Sequence, residues 1–304
     1  RQYPMITAFI RQLLEEAQKN DDIFLVVGDF GFSVVEPFAE MFPLRFLNAG
    51  IAEQNMAGVA AGLAMTGYRV FIYSIANFPT LRCMEQIRND ICYHGLDVKI
   101  VSVGAGFAYG YLGMSHHATE DIAMMRTLPG MPVLSPGDPA ETAKITRLLC
   151  MTDGPAYLRL GKAGEKLVSE QDFSLNRGGL RCVKKGKGTA VVCHGSILKA
   201  ALGWLNGPRA TWSLYSMPFI NCTNQDEMLA LFSGYDRIVV AEEHRIAGGL
   251  GSCLLETLYQ YKEQQLISHL PEFILKGITG NFPAVAGSQE YLRQVMNLLP
   301  DDLK

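Results

Sequence analysis

The sequence predicts an α/β protein with two doubly wound α/β/α domains, each built on a parallel sheet that helices cover on both faces. Two observations predict this fold class. Short runs rich in β-branched and aromatic residues alternate with amphipathic helical runs along the chain, which indicates right-handed strand–helix–strand units. Charge and glycine interrupt the alternation between Gly161 and Gly188, which is typical of a domain boundary. We therefore expect domains at 1–165 and 178–304.

The first domain is expected to begin with an amphipathic helix over 4–19, followed by a buried strand, IFLVVG, that ends at Gly28. A helix over 53–66 follows. Because strands covered on both faces are almost wholly apolar, further strands are predicted at 69–74, 97–104, 131–136 and 155–160, with helices at about 80–94, 119–128 and 138–151.

The second domain repeats the alternation. Its strands are predicted at 188–195, 209–216, 235–243 and 272–278, and its helices near 196–204, 224–232, 249–262 and 286–298. Doubly wound domains bind ligands at the carboxyl ends of their strands, so residues that follow strands are the first candidates for a site.

Composition narrows the partners and the compartment. The 27 basic and 30 acidic residues are interspersed and give a net charge of −3, which leaves no basic patch for nucleic acid or a membrane surface. No apolar run approaches the roughly 20 residues that span a bilayer. The seven cysteines show no CxxC spacing and indicate reduced thiols in a cytoplasmic protein. We expect a small-molecule or protein partner.

The segment NAGIAEQNMAGVAAGLAMTGYRVFIYS (48–74) resembles the pattern GxAEQN…AAGLA of transketolases and deoxyxylulose-phosphate synthases. Five further blocks match in family order, at 85–93, 97–106, 113–136, 154–162 and 240–252. The chain is thereby identified as a member of the transketolase family. The resemblance implies a pyrimidine-binding thiamine diphosphate domain followed by a transketolase C-terminal domain.

The resemblance makes Glu53 the catalytic partner of the cofactor. Thiamine chemistry needs an acid that holds a proton at the aminopyrimidine ring, and burial where a small-residue loop enters an apolar helix suits that role. By position alone, Glu53 is better explained as a helix-N-terminal acid stabilised by about 0.3–1 kcal/mol. The surrounding motif favours catalysis.

Three more residues are assigned to the cofactor by the resemblance. Phe78 lies in the family's aromatic segment and would stack on the pyrimidine ring, worth on the order of 1 kcal/mol, although a core phenylalanine is the alternative because Ile75 replaces another expected aromatic. Asp29 matches a family acid beside the pyrimidine, although acids after strands are also common in turns. Ile51 is the third.

His116, in GMSHHATED, falls where the family places a histidine over the thiazolium, where it donates to a substrate hydroxyl or to a developing alkoxide. The alternatives are loop polarity or a metal pair with His117. Adjacent side chains point apart on regular elements, which disfavours the pair, and no metal site is predicted. The segment EEHRIAGGLGS (242–252) could also indicate a phosphate loop, but in the family its glycines shape a strand-to-helix turn.

The family's GDG…N motif, which holds magnesium and the diphosphate, does not occur in this sequence. The resemblance therefore implies a separate N-terminal, diphosphate-binding transketolase subunit that holds thiamine diphosphate with Mg²⁺, and a heterotetramer of two such pairs. The expected reaction is transfer of a two-carbon ketol unit from a ketose to an aldose. This chain is expected to be the C-terminal subunit of that split enzyme and to be inactive alone.

Several positions depart from sugar-phosphate transketolases. Residues that grip the donor and its phosphate in the family are replaced at Ile6, Gly104, Ala105 and Lys162, and family acids are replaced at Tyr111 and Leu112. Ser33 and Lys162 remain as the phosphate contacts, and a lysine lacks the bidentate fork of arginine. The sequence therefore leaves open that the donor is a specialised sugar or an α-keto acid.

Three alternatives stay open at this point. The β chain of a 2-oxoacid dehydrogenase is also a separate pyrimidine-domain chain, but SHHATED is foreign to it. Deoxyxylulose-phosphate synthase is normally one longer chain. A non-catalytic pairing protein with the same fold is disfavoured by the presence of Glu53 and His116.

Overall fold

The computed structural model describes residues 4–31, 33–162, 167–168 and 173–303. The strands in that part of the chain are β1 Ile23–Val27, β2 Phe46–Asn48, β3 Arg69–Ile75, β4 Val98–Val103, β5 Val133–Leu134, β6 Ala156–Leu160, β7 Arg181–Lys184, β8 Thr189–Cys193, β9 Ser213–Ser216, β10 Arg237–Arg245 and β11 Glu272–Ile278. The helices are α1 Met5–Ala17, α2 Glu36–Met41, α3 Glu53–Met65, α4 Met84–Gln86, α5 Asp121–Arg126, α6 Pro139–Cys150, α7 Ile197–Trp204, α8 Gln225–Gly234, α9 Leu250–Glu263 and α10 Gln289–Val295.

Within the described residues these strands form two sheets, which confirms the predicted α/β fold class. The N-terminal sheet has the order β2-β1-β3-β4-β6-β5 and is parallel throughout. The C-terminal sheet has the order β11-β10-β8-β9-β7. Every residue of β1, β4, β6 and β8 is buried, because helices cover both faces of a parallel sheet.

The strand order of the N-terminal sheet creates a switch point between β1 and β3. From β1 the chain forms β2 on one side, and from β3 onward the strands are added on the other side. The crossover helices therefore leave on opposite faces, and a crevice opens at the carboxyl ends of β1 and β3. Gly28 and Ser74 lie at those two ends.

The C-terminal sheet differs from the prediction at its edge. β7 pairs antiparallel with β9, whereas the prediction was a wholly parallel sheet. The strand lies inside the segment whose composition predicts the domain boundary, where its four residues are too few to show a hydrophobic period. The boundaries 1–165 and 178–304 stay predictions, and residue 165 lies outside the described residues.

Other predicted elements differ in kind or length. The helix expected at about 80–94 is a 3-10 turn, Leu81–Cys83, followed by α4 and a π-helix, Ile87–Cys92. The sequence does not predict α2 and β2, because both are short and β2 is a partly exposed edge strand. No helix in the described ranges is long and apolar enough to cross a membrane.

Buried apolar side chains form a continuous core between the two sheets. Ile122 and Met125 of α5 belong to the same cluster as Met217 and Ile220, which follow β9. The two halves of the chain therefore share packing, which fixes the loops of the N-terminal sheet against the C-terminal sheet.

Candidate active site

Glu53 is the first residue of α3 and lies at the β1–β3 switch point. Its side chain is buried, with 2% of its surface exposed. A methyl group added at Gly28 would lie 3.5 Å from Glu53 Cγ and 3.3 Å from Ser74 Oγ. The end of β1 therefore packs directly against this carboxyl group, and glycine leaves room for it.

One cation reaches the buried carboxyl. Arg82 Nη1 donates a hydrogen bond of 2.7 Å to Glu53 Oε2, and the Arg82 side chain is 48% exposed. Ser74 Oγ is also buried and has no hydrogen-bond partner among the described residues. The carboxyl group of Glu53 thus pairs with Arg82, which extends to the surface, and the hydroxyl of Ser74 lies beside the carboxyl group.

Phe78 and His116 complete the cluster. Their ring centroids lie 5.5 Å apart in an edge-on arrangement of 71°, and Arg82 Cζ lies 5.0 Å from the Phe78 centroid. Both rings are partly exposed. The structure therefore brings Glu53, Phe78 and His116 to one side of the same crevice.

Asn77 connects the two segments that carry these rings, and sequence reasoning missed it. Its Nδ2 donates to the carbonyl oxygens of His117 at 2.8 Å and Ser115 at 3.1 Å. Ser115 Oγ in turn lies 3.0 Å from His116 Nδ1. Asn77 is the residue before Phe78, and that adjacency was the one sequence signal for its role.

The two adjacent histidines have different surroundings. His117 is buried, lies edge-on to Phe107 with 5.1 Å between ring centroids, and has Nε2 3.3 Å from the Gly110 carbonyl oxygen. Burial lowers the pKa of His117, so its neutral form is favoured. In the described part of the chain, no three His, Cys, Asp or Glu side chains are grouped to hold a metal ion.

Asp29 and Ile51 lie at the outer rim of the crevice. The backbone N–H of Asp29 donates to Asn48 Oδ1 at 3.0 Å, and Asn48 Nδ2 returns a bond of 3.2 Å to Asp29 Oδ1. Asn48 Oδ1 also accepts from the Gly50 N–H at 2.9 Å. Asn48, unnoticed in the sequence, thereby holds both loops, and Ile51 projects outward with 78% of its surface exposed.

Ser33 and Lys162 are separate from this cluster. Ser33 is exposed, and its backbone N–H donates to Glu36 Oε1 at 2.6 Å. Lys162 Nζ lies 5.8 Å from the centroid of the Tyr109 ring. Tyr111 and Leu112, at the positions of family acids, are exposed by 72% and 57%.

The loop that carries His116 is anchored to the C-terminal sheet. Glu243, in β10, accepts the Phe107 N–H at 2.9 Å through Oε1 and pairs with Arg293 through Oε2 at 2.6 Å. Arg159 adds a second link, since it pairs with Asp121 at 2.8 Å and donates to the Glu243 carbonyl oxygen at 3.0 Å. Burial raises the pKa of Asp121, but the nearby charges of Arg159 and His244 outweigh it and lower that pKa.

The backbone N–H groups of the glycine turn at 242–252 bind a carboxylate of the same segment, that of Glu242. Glu242 accepts the N–H groups of Leu250 at 2.7 Å and Gly251 at 3.0 Å, so it caps the N-terminus of α9. A side chain at Gly249 would overlap the Glu242 carboxyl group. This turn is built around a carboxylate from within the chain.

A doubly wound sheet with a buried acid and aromatic rings at its switch point is typical of ligand-binding α/β proteins. The family described as "Transketolase, pyrimidine binding domain" matches residues 1–164. The chain belongs to the transketolase family.

Relatives support this membership along most of the chain. One of the subunits of the apulose-4-phosphate transketolase of Phocaeicola vulgatus is 34% identical over 270 residues, which are 87% of this chain and 86% of that protein. A putative transketolase C-terminal section of Methanocaldococcus jannaschii is 34% identical over 256 residues, 81% of this chain and 79% of that protein. A solved structure described as a split gene transketolase, an inactive beta4 tetramer, has a TM-score of 0.83 at 33% identity, covering 97% of this chain and 93% of its own.

The similarity to deoxyxylulose-phosphate synthase covers a smaller share of the matched protein. The enzyme of Methylococcus capsulatus is 31% identical over 264 residues, which are 84% of this chain but 40% of that enzyme. Among these relatives, this chain therefore matches the separate transketolase chains over most of their length and the synthase over less than half of its length.

Proposed function

We propose that this chain is the C-terminal, pyrimidine-binding subunit of a two-chain transketolase, which transfers a two-carbon ketol unit from a ketose donor to an aldose acceptor. The observation that carries the proposal is the cluster of Glu53, Phe78 and His116 at the β1–β3 switch point. One relative is described as a transketolase subunit and another as a transketolase C-terminal section, and both descriptions support the two-chain arrangement.

The residues present suit the pyrimidine ring of thiamine diphosphate. A flat guanidinium already donates an N–H to buried Glu53 while it lies near the face of Phe78, and an aminopyrimidine protonated at its ring nitrogen would make the same two contacts. Glu53 would hold the proton at the ring nitrogen, and Phe78 would stack on the ring. When bound, the cofactor supplies the nucleophilic carbon that cleaves the ketose.

His116 and its supports would act on the substrate. A ring N–H of His116 would donate to the substrate oxygen on which charge develops, which is worth most where the donor is fixed in advance. Asn77 and Ser115 fix it here. The neutral, buried His117 has a different task, since it packs the loop from beneath.

The proposal places the diphosphate and Mg²⁺ on an N-terminal partner subunit, in a heterotetramer of two pairs. Large apolar side chains are exposed around the crevice, including Ile51 at 78% and Met114 at 53%. Exposed apolar patches rimmed by polar groups are typical of protein interfaces. Asp29 and Ile51 would meet the partner and the cofactor at this rim.

Reconstitution tests the proposal. The chain is mixed with its diphosphate-binding partner, thiamine diphosphate and Mg²⁺, and ketol transfer from hydroxypyruvate to glycolaldehyde is measured as erythrulose formed. We expect product only when both chains and the cofactor are present. Turnover by this chain alone, or lipoyl-dependent oxidation instead of ketol transfer, would contradict the proposal.

A further inference from the structure

A pocket of about 330 Å³ opens at the carboxyl edge of the N-terminal sheet, on the edge that carries Glu53. It lies between the segment after β1 and the loop after β4, which also bears His116. Its walls are Ile6, Phe30, Val34, Tyr73, Tyr109 and Lys162. Most of this lining is aliphatic or aromatic.

Tyr109 forms one wall because the chain makes room for it at Gly104. Gly104 follows β4 with a φ of +96°, and a Cβ at this position would overlap the Tyr109 ring. Any larger residue would meet both a strained backbone and this ring. Position 104 is one of those at which the residues that grip the donor and its phosphate in sugar-phosphate transketolases are replaced, so an aromatic ring takes the place of such a contact.

The turn before α2 already binds an anion of its own. Ser33 N–H donates to Glu36 Oε1 at 2.6 Å. Hydrogen bonds from the N–H groups of Ser33 and Glu36, and further ones from Val34 and Val35, lower the pKa of Glu36 despite its partial burial. This carboxylate is ionised at neutral pH, so a phosphate approaching the turn would meet a like charge.

The described lining of the pocket carries few polar groups, and a phosphate would meet a single cation there. Of the described residues that line the pocket, Lys162 alone is positively charged, and its ammonium lies beside the Tyr109 ring. The hydroxyl of buried Tyr73 has no hydrogen-bond partner among the described residues. A hydroxyl on an inner carbon of the sugar would satisfy it, which leaves the apolar lining to the sugar's far end.

We infer that this pocket holds the far end of the sugar substrate and selects sugars that end in an uncharged, deoxygenated carbon over sugars that end in a phosphate. The inference rests on the proposed function and deepens it by naming the substrate class. An apolar end gains contact with Ile6, Phe30 and Val34, whereas a phosphate dianion loses its hydration there without a bidentate partner.

Three matched aldehydes test the selection. Lactaldehyde, glyceraldehyde and glyceraldehyde 3-phosphate differ at C3 by hydrogen, hydroxyl and phosphate. Each is used as the acceptor for hydroxypyruvate with the complex of this chain and its partner. We expect kcat/KM for lactaldehyde to exceed that for glyceraldehyde 3-phosphate by at least about tenfold, since the phosphate would leave its hydration shell without a bidentate partner.

A charge-gain variant tests the pocket itself. Val34→Arg should shift the ratio of the two kcat/KM values toward glyceraldehyde 3-phosphate by about tenfold, whereas Tyr259→Arg, at an exposed position of α9, should leave the ratio unchanged. A tenfold preference of the wild type for glyceraldehyde 3-phosphate overturns the inference while ketol transfer to glycolaldehyde, which has no far end, still supports the proposed function. No transfer to any aldehyde contradicts both.

Discussion

Arg82 donates a hydrogen bond to Glu53 and at the same time lies near the face of Phe78, with distances of 2.7 Å to the carboxylate and 5.0 Å to the ring centroid. One guanidinium thus engages both residues that we assign to the pyrimidine ring. A guanidinium and an aminopyrimidine protonated at its ring nitrogen are both flat, and each can donate an N–H to a carboxylate. Under the proposed function Arg82 would therefore occupy the place of the ring, and this half-exposed side chain would have to move away when the cofactor binds.

Replacement of Arg82 should strengthen cofactor binding. The change Arg82→Ala removes an ion pair that binding must break, worth up to about 1 kcal/mol when one partner is exposed. We expect the Kd for thiamine diphosphate of the two-chain complex to fall about threefold to fivefold by isothermal calorimetry. The exposed Arg88→Ala is the control. A higher Kd for Arg82→Ala would mean that the guanidinium helps to hold the cofactor.

Removal of Asn77 should loosen the loop that carries His116. Asn77→Ala deletes two hydrogen bonds to the carbonyl oxygens of Ser115 and His117, and loss of buried partners costs about 1–3 kcal/mol. We expect kcat for ketol transfer to fall at least about tenfold with little change in the Kd for thiamine diphosphate. The exposed Asn206→Ala should have neither effect. An unchanged kcat would show that the loop is held without Asn77.

Glu243 should stabilise the C-terminal half through Arg293 and the contact with the N-terminal half through the Phe107 N–H. Glu243→Ala leaves Arg293 without its carboxylate and the Phe107 N–H without its acceptor, and breaking a buried pair costs about 3–5 kcal/mol. Urea unfolding should show that the free energy of unfolding falls by this amount. The double variant Glu243→Ala/Arg293→Ala should lose less free energy of unfolding than the two single variants lose together. Glu272→Ala breaks an exposed pair and is the matched control. Additive losses would exclude an energetic coupling between Glu243 and Arg293.

Acid should destabilise the chain through its buried histidines. Burial lowers the pKa of His194 and of His117 below the ordinary value of 6.5. The unfolded chain therefore binds more protons near pH 6, so stability is complete above pH 6.5 and declines as the pH falls toward the folded-state pKa. His194 Nδ1 also lies 2.9 Å from Ser135 Oγ inside the protein.

The measurement is the Tm between pH 7.5 and pH 5. We expect the wild type to lose several degrees over this range, where 1 kcal/mol corresponds to roughly 2–4 °C. His194→Gln should lower the Tm at pH 7.5 but flatten its pH dependence, whereas the exposed His269→Gln should change neither. The same slope in wild type and His194→Gln would refute the assignment to His194.

The sequence was sufficient for the fold class, and its motifs marked Glu53 and His116 as candidates whose roles stay predictions. Glu53 and His116 lie in long blocks with family spacing, and strong apolar runs marked β1, β4 and β8. Contacts between distant side chains could not be found in this way. Arg82 meets Glu53 across 29 residues, and Asn77 meets His117 across 40, so both contacts depend on the strand order.

Short elements could not be predicted from the sequence for a related reason. β2 has three residues, mostly exposed, and β7 has four at the edge of its sheet. A hydrophobic period needs more residues than these to appear. The filling of the space at Gly104 by Tyr109 was also invisible, because a loop conformation and not a pattern places that ring.

The most direct test of the central claim is the kcat of Glu53→Gln in the two-chain complex, assayed as erythrulose formed from hydroxypyruvate and glycolaldehyde. Glu15→Gln, on the exposed face of α1, is the matched control. If Glu53 holds the proton at the cofactor ring, the variant should lose activity by about 100-fold or more, while the control retains it. A Glu53→Gln complex with wild-type kcat would contradict the assignment of the active site.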